Sequence, residues 1–296
     1  MSLKFLIIIP AHNEEEFLPY CLLSLEEQSY RDFNVVVVND GSLDGTSQVA
    51  HEFAKKDSRF FALDLPSSKH EPGAKVVRSF YKGLESTDSK EFDVLCKFDA
   101  DIVFPRDYLN EIRQLYQSDH SIGMASGLVR ITEGAIDLSK IMDFEKESSG
   151  WKYENLSDPS HVRGPIKSYL RECFEAMGGI RPTLGWDNID GLLAQKNGYQ
   201  VKTIKSLWVK HLRPTAERYE KQKAQKLGRY FYNLGLSFPL AVISGAKASI
   251  RSGGLPHFFT LLGAFLKSKG QREITAEEIK YIRQLRWKQF FNKLKW

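Results

Sequence analysis

The chain has 296 residues, 42% hydrophobic and 27% charged, enough for one large domain with an appendage or for two smaller domains. Its three cysteines, Cys21, Cys96 and Cys173, are far apart and form no Cys-x-x-Cys pair, which argues against a disulfide framework or a zinc site and favours a reducing, cytoplasmic setting. The net charge of +5 is uneven: from Ala216 onward 16 Lys and Arg stand against 5 Glu, a net of +11, while residues 1–215 carry 26 basic and 32 acidic side chains, a net of −6.

Lys4 to Ile9 (KFLIII) reads as a continuous apolar strand rather than a leader, because Pro10 and the acids Glu14, Glu15 and Glu16 follow at once. Asn13 with Glu16 three residues on predicts a capping box that opens a helix through about Gln28. A dinucleotide site would place glycines here so that bare backbone approaches a pyrophosphate, whereas three glutamates repel one. That argues against an NAD enzyme, and equally against a nucleotidyltransferase with a glycine-rich loop.

Phe33 to Val38 (FNVVVV) is a second apolar strand, as expected in a parallel sheet covered on both faces. Asp40, Ser42, Asp44 and Gly45 after it imitate a calcium loop, but His51 occupies the twelfth position, where a bidentate Glu is required. A turn with a helix cap is the expectation. A helix to about Lys56, a strand over Phe60–Leu63 and a helix from Ala74 to about Leu84 lead to Asp93–Pro105 (DVLCKFDADIVFP). There an apolar strand runs into Asp99 and Asp101, a pair suited to a hard divalent cation that completes its shell with phosphate oxygens. The βαβαβαβ order predicts a parallel, doubly wound α/β sheet, whose ligands sit beyond the carboxyl ends of its strands. Pro10 to Asn13, Asp40, and Asp99 with Asp101 all follow such ends, so they fall on one rim.

Taken as an ordered set over about Phe5 to His211, the motifs IIIPAHNEEEFL, VVVVNDGSLDGT, KFDADI and the later GWDNIDGLLAQKNGY resemble the family 2 glycosyltransferases. These are inverting enzymes of the α/β fold called GT-A, a mostly parallel sheet flanked by helices. The resemblance implies that the segment matching Pro10, His12 and Asn13 lines the nucleotide base, with Ala11, Glu14 and Ala100 in the same nucleotide site. It implies that Asp40 contacts base or ribose, and that Asp99 and Asp101 bind the diphosphate through Mn2+ or Mg2+. His12 stands where tyrosine is common, and an imidazole still stacks on uracil. Lys75 and Arg78, on the helix before the Asp-x-Asp strand, are further candidates to face the diphosphate.

Beyond Pro105 a helix is expected over Asp107–Ser118, then a strand over Ile122–Ile131. From Thr132 to Val162 the pattern weakens into a loop-rich stretch with Trp151 and Tyr153, which together with Trp186 are the acceptor-side candidates, because sugars stack on aromatic faces. A strand ending at Tyr169 enters a helix over Glu172–Met177, and a second helix follows Gly185-Trp186-Asp187. Inverting transfer needs one base for the acceptor hydroxyl. The family's acid pair stands about eleven residues before the glycine that closes this helix, here Gly198, which makes Asp187 the expected base, with Trp186 in place of the usual Glu and Asp190 in reserve. A last strand over Val201–Trp208 precedes His211, which in several GT-A enzymes completes the metal shell.

After Pro214 a basic helix over Arg218–Tyr232 and two short apolar segments lead to a Thr275/Glu278 capping box with a possible Ile274/Ile279 staple. The closing helix mixes Lys and Arg with Trp287, Phe290 and Phe291, a composition suited to an anionic membrane surface. Gln284-Leu285-Arg286-Trp287 is one residue short of the Gln-x-x-Arg-Trp of processive synthases. The expectation is therefore a catalytic domain over 1–215 and a basic helical extension over 216–296. It is a non-processive enzyme that moves one sugar from a nucleotide-diphosphate donor, UDP-linked, to a glycan or lipid-linked acceptor at the inner face of the cell membrane. The rival expectation is a non-catalytic nucleotide-fold protein whose basic tail binds membrane or nucleic acid; no nucleic-acid motif supports the latter partner.

Overall fold

The computed structural model describes residues 2–67, 71–144, 150–154, 161–213 and 222–294. In chain order the elements are β1 (Phe5–Ala11), α1 (Leu18–Glu26), β2 (Phe33–Asp40), α2 (Thr46–Lys56), β3 (Phe60–Leu65), α3 (Ala74–Glu85), β4 (Val94–Phe98), β5 (Ile102–Val103) and α4 (Tyr108–Ser118). They continue with β6 (Ile122–Ile131), β7 (Lys152–Tyr153), β8 (Ile166–Leu170), α5 (Arg171–Ala176), α6 (Trp186–Lys196) and β9 (Gln200–His211). Four helices close the chain: α7 (Lys223–Asn233), α8 (Phe238–Ser252), α9 (Gly254–Lys267) and α10 (Ala276–Leu294).

One mixed sheet runs β3-β2-β1-β4-β8-β6-β9-β5, with β7 paired to β6. Its first four strands are parallel, as the alternating pattern predicts. Beyond β4 the sheet changes character, because β8 inserts antiparallel between β4 and β6 while β9 runs parallel to β6. The apolar strands serve two layers at once. Phe5, Ile7, Ile9, Val35, Val37, Val94 and Cys96 pack with Leu18, Leu22 and Tyr108 on one face, and Leu6, Ile8, Val36, Val38 and Leu95 pack with Phe80, Ile189 and Leu193 on the other. Successive side chains of a strand point to opposite faces, so strands buried on both sides are mostly apolar, and any charge inside them needs a partner.

The predicted Asn13/Glu16 capping box does not form. Asn13 sits at φ 57°, and its Oδ1 accepts from the Leu43 amide at 2.9 Å, so the side chain is spent on joining the β1 and β2 loops. The helix starts later, with Pro19 in its first turn. The calcium-loop imitation is the expected turn: Asp44 Oδ1 accepts from the Thr46 amide at 3.1 Å, an Asx turn leading into α2. The Thr275/Glu278 box does form, with the Thr275 amide donating to Glu278 Oε2 at 2.6 Å and the Glu278 amide donating to Thr275 Oγ1 at 3.2 Å. Thr275→Ala is expected to cost about 1 kcal/mol, read as a lowered urea midpoint with an unchanged slope.

The C-terminal helices share the core of the sheet. Phe231, Leu234, Leu240, Ala241, Leu261, Phe265 and Ile282 are buried in the same cluster as Phe80 and Leu193. Arg181, after α5, pairs with Glu278 of α10 at 2.8 Å. In the closing helix Trp287, expected at a membrane surface, lies partly buried against this core, while Phe291 stays exposed. Of the basic helix expected from Arg218, residues 214–221 lie outside the described ones, as do Lys295 and Trp296.

Candidate active site

The first half of the site follows from the parallel strands. Pro10 and Ala11 at the end of β1, His12 and Glu14 beyond it, Asp40 at the end of β2, Lys75 and Ser79 on α3, and Asp99, Ala100 and Asp101 after β4 line one cleft of about 290 Å³. Asp40 is fixed within it: its carboxylate accepts from Ser79 Oγ at 2.6 Å and lies 3.5 Å from Lys75 Nζ. Its backbone oxygen lies 2.8 Å from His12 Nδ1, which pins the imidazole at the rim. Asn13 and Arg78 do not line the cleft; Arg78 pairs with Glu71 at 2.6 Å on the exposed side of the helix.

The second half comes from an antiparallel pairing the sequence did not announce. β5, only two residues long, pairs with the end of β9, setting Ile102 opposite His211, and the Leu212 amide donates to the Asp101 oxygen at 2.9 Å. This brings His211 Nε2 to 3.4 Å from Asp101 Oδ2 and Nδ1 to 3.5 Å from Glu154 Oε2. Burial opposes a charge on the imidazole, but the carboxylates on either side prevail and raise its pKa to about 10. Glu154 is held in turn by Arg163 at 2.7 Å. Glu14 also reaches this end, paired with Arg213 at 2.9 Å; burial raises its pKa, Arg213 works against the rise, and Asp101 and Asp99 add to it.

Among the described residues no three His, Cys, Asp or Glu side chains form a ready metal cluster. Asp99 Oδ1 is instead taken by Lys97 Nζ. Asp101 and His211 nonetheless converge, and their 3.4 Å separation is close to the ~3 Å between two ligands at right angles on one small divalent ion. The buried Nδ1 of His211 has no well-formed hydrogen bond. A hard cation would be held by Asp101 and by His211 once it displaces the proton from Nε2, and Asp99 would join as a third only on leaving Lys97.

Outside the cleft lining, Asp187 is half-buried in the first turn of α6. It abuts Gly164, whose added Cβ would sit 3.4 Å from Asp187 Cβ. Gly164 in turn accepts from Lys97 Nζ at 3.4 Å, and the Asp99 amide donates to Pro165 O at 2.9 Å, so one short segment separates Asp187 from Asp99. Asp190 is different. It is 1% exposed and saturated by Lys167 at 2.7 Å, Tyr169 at 2.6 Å and the Gly191 amide at 2.6 Å. No acceptor hydroxyl reaches it.

Nor do the indoles offer open faces. Trp186 lies beside two ammonium groups, Lys97 at 5.2 Å and Lys167 at 5.4 Å, and Trp151 is buried with Val103, Ile141 and Leu212. Tyr153, in β7, is half-buried. The sequence reading missed Lys97 and Lys167, which are register partners across β4 and β8, and Glu154. The signal for the lysines was present: each is a charge inside an otherwise apolar strand, VLCKF and IKSYL, and a buried charge needs a partner.

Residues 6–174, more than half of the chain, match the family described as Glycosyl transferase family 2. The chain belongs to that family. The chain is 28% identical over 123 residues to glycosyltransferase GlyA of Streptococcus pneumoniae serotype 4, a match covering 40% of this chain and 16% of that protein. The mannosyltransferase PcManGT from Pyrobaculum calidifontis, solved with GDP-Man and Mn2+, superposes with a TM-score of 0.56 at 22% identity over 89% of this chain and 69% of its own. S. aureus TarS 1-349, solved with UDP, gives 0.54 at 16% identity over 98% and 92%. These structures show the fold, GT-A, with helices following the sheet.

Proposed function

We propose that this glycosyltransferase is metal-dependent and inverting, and adds a single sugar from a UDP-sugar to a hydroxyl of a glycan or lipid-linked acceptor. The observation that carries the reading is the arrangement of three carboxylates, Asp40, Asp99 and Asp101, in one cleft with Asp187 across Gly164 from it. UDP in TarS and GDP-Man with Mn2+ in PcManGT support a nucleotide-sugar donor and a divalent cation. Asp40 and His12 hold the nucleoside end, and Lys75, paired with Asp40, adds a positive charge to the same cleft.

Asp101 and His211, joined by Asp99, would hold Mn2+ or Mg2+, whose charge stabilises the departing diphosphate. Asp187 accepts the proton of the acceptor hydroxyl as its oxygen bonds to the anomeric carbon; the bond from that carbon to the diphosphate oxygen breaks on the opposite face, and the configuration inverts. The acid serves as base because it is accessible and not already saturated by buried cations, as Asp190 is. Opposite-face geometry also requires base and leaving group on different sides of the sugar.

Thermal unfolding with UDP, GDP, CMP and dTDP, each with and without Mn2+, tests the donor half. A ligand that binds only the folded chain stabilises it by about 2.7 kcal/mol at one hundred times its Kd. The expected result is a rise with UDP that requires Mn2+. A rise with GDP alone would move the donor to a guanosine sugar, and no rise with any nucleotide would overturn the reading.

A further inference from the structure

The sequence from 221 to 272 contains nine Lys or Arg and no Asp or Glu. This stretch forms α7, α8 and α9, and it carries most of the large apolar side chains left in solvent: Ile250 is 85% exposed, Leu255 71%, Phe259 65% and Leu266 62%. They are not scattered. Ile250 is near the end of α8 and Leu255 near the start of α9, joined through Gly253 and Gly254, both at positive φ. Leu255, Phe259 and Leu266, with the half-covered Leu262, follow a spacing of 0, 4, 7 and 11 residues along α9, which is one helical face. The other face is spent on the core, where Leu261 and Phe265 are buried.

Cations flank this stripe. Phe259 also lines a groove of about 740 Å³ between α7 and α9, whose other walls include Arg229, Lys267 and Lys269. An exposed apolar row beside a groove lined with cations and free of acids matches a layer with an apolar interior and an anionic surface. No helix among the described residues is long and apolar enough to cross a membrane, so the geometry is that of an element lying in the interface.

We propose that the α8–α9 hairpin docks this enzyme on an anionic phospholipid bilayer, with Ile250, Leu255, Phe259 and Leu266 entering the acyl boundary and Arg229, Lys267 and Lys269 meeting lipid phosphates. Each basic residue near such a surface strengthens binding about five-fold, and the effect falls away with salt. The reading is independent of the donor and of the base, because it concerns a face built wholly from the extension.

Sedimentation of the full chain with phosphatidylcholine vesicles, with and without phosphatidylglycerol, tests it. Binding is expected only to the anionic vesicles, falling as salt rises. Leu255→Ser/Phe259→Ser and, separately, Lys267→Glu/Lys269→Glu are each expected to weaken it at least about ten-fold, the latter from four changed charge units at about five-fold per cation, while the UDP-induced thermal shift persists. These side chains are exposed, so the folded state tolerates the changes, and the charge variant stands if the apolar one misfolds. Absence of binding, binding unaffected by both variants, or equal binding to neutral vesicles would overturn the proposal. So would light scattering showing that the stripe instead joins two copies of the chain, with no vesicle binding.

Discussion

Asp187→Asn is expected to lower transfer by about 10²–10⁴-fold, the usual contribution of a positioned general base, while the UDP-dependent thermal shift stays intact. The separation of the two effects follows from where the residue sits. Asp187 belongs to the first turn of α6 and does not line the nucleotide cleft, so removing its charge leaves the donor's contacts unchanged. The amide keeps the shape and the neighbour Gly164, and α6 does not depend on the carboxylate, since its N-terminus has no side-chain cap. Full activity in this variant would sink the assignment. Asp190 would not then inherit the role, because Lys167, Tyr169 and the Gly191 amide already consume its oxygens. Asp190→Asn instead leaves the Lys167 ammonium poorly compensated in the interior, a loss of the kind that costs about 3–5 kcal/mol.

Asp101→Asn is expected to weaken activation by Mn2+ by about 100-fold or more, since partners one shell further out already cost 10–100-fold in metal affinity. The measurement is the Mn2+ concentration that half-restores the UDP thermal shift, read beside the melting temperature without metal. That second reading matters because Asp101 also faces His211 at 3.4 Å and anchors Leu212 through its backbone. The amide preserves the backbone contact and most of the volume. A shift that remains equally sensitive to Mn2+ would place the cation elsewhere or remove it from the reaction.

Much of the donor half was legible because parallel strands write themselves plainly. FLIIIPA, FNVVVVND and VLCKF are apolar on both faces except at Asn34, Lys97 and the polar end of β2, so their ends, and the residues beyond them, align on one rim from the sequence alone. His211 was placed there by resemblance, and its contact with Asp101 depends on β5, a two-residue strand too short to leave a periodic signature. Asn13 failed as a cap because the competing acceptor site was occupied by a residue 30 positions away, the Leu43 amide, and tertiary bonds of that kind have no local pattern. The acceptor-side aromatics failed differently. Trp186 and Trp151 carry the right chemistry for stacking, but composition cannot say which indole a neighbouring lysine has already claimed. The extension's closing helix was ambiguous for the same reason: basic and aromatic residues mixed along a helix suit a bilayer and a protein core alike, and here Trp287 packs on the core while Phe291 is exposed.

Gly185, at φ 90°, precedes the helix of Asp187, and an added Cβ there would lie 2.0 Å from Tyr230 Cδ2. The ring of α7 therefore fills the space that any other residue at position 185 would claim, and Asn233 on the same helix donates to the oxygen of Leu184 at 3.1 Å. On the proposed reading, the entrance beside the base is shaped by a side chain encoded some 40 residues downstream, whereas the nucleotide cleft is encoded almost entirely before residue 102. Donor and acceptor preference are then inherited on separate stretches of the chain. Replacement of Tyr230 can remodel what enters beside Asp187 without disturbing what binds to Asp40, which gives a lineage of such enzymes a way to change acceptors while keeping its donor.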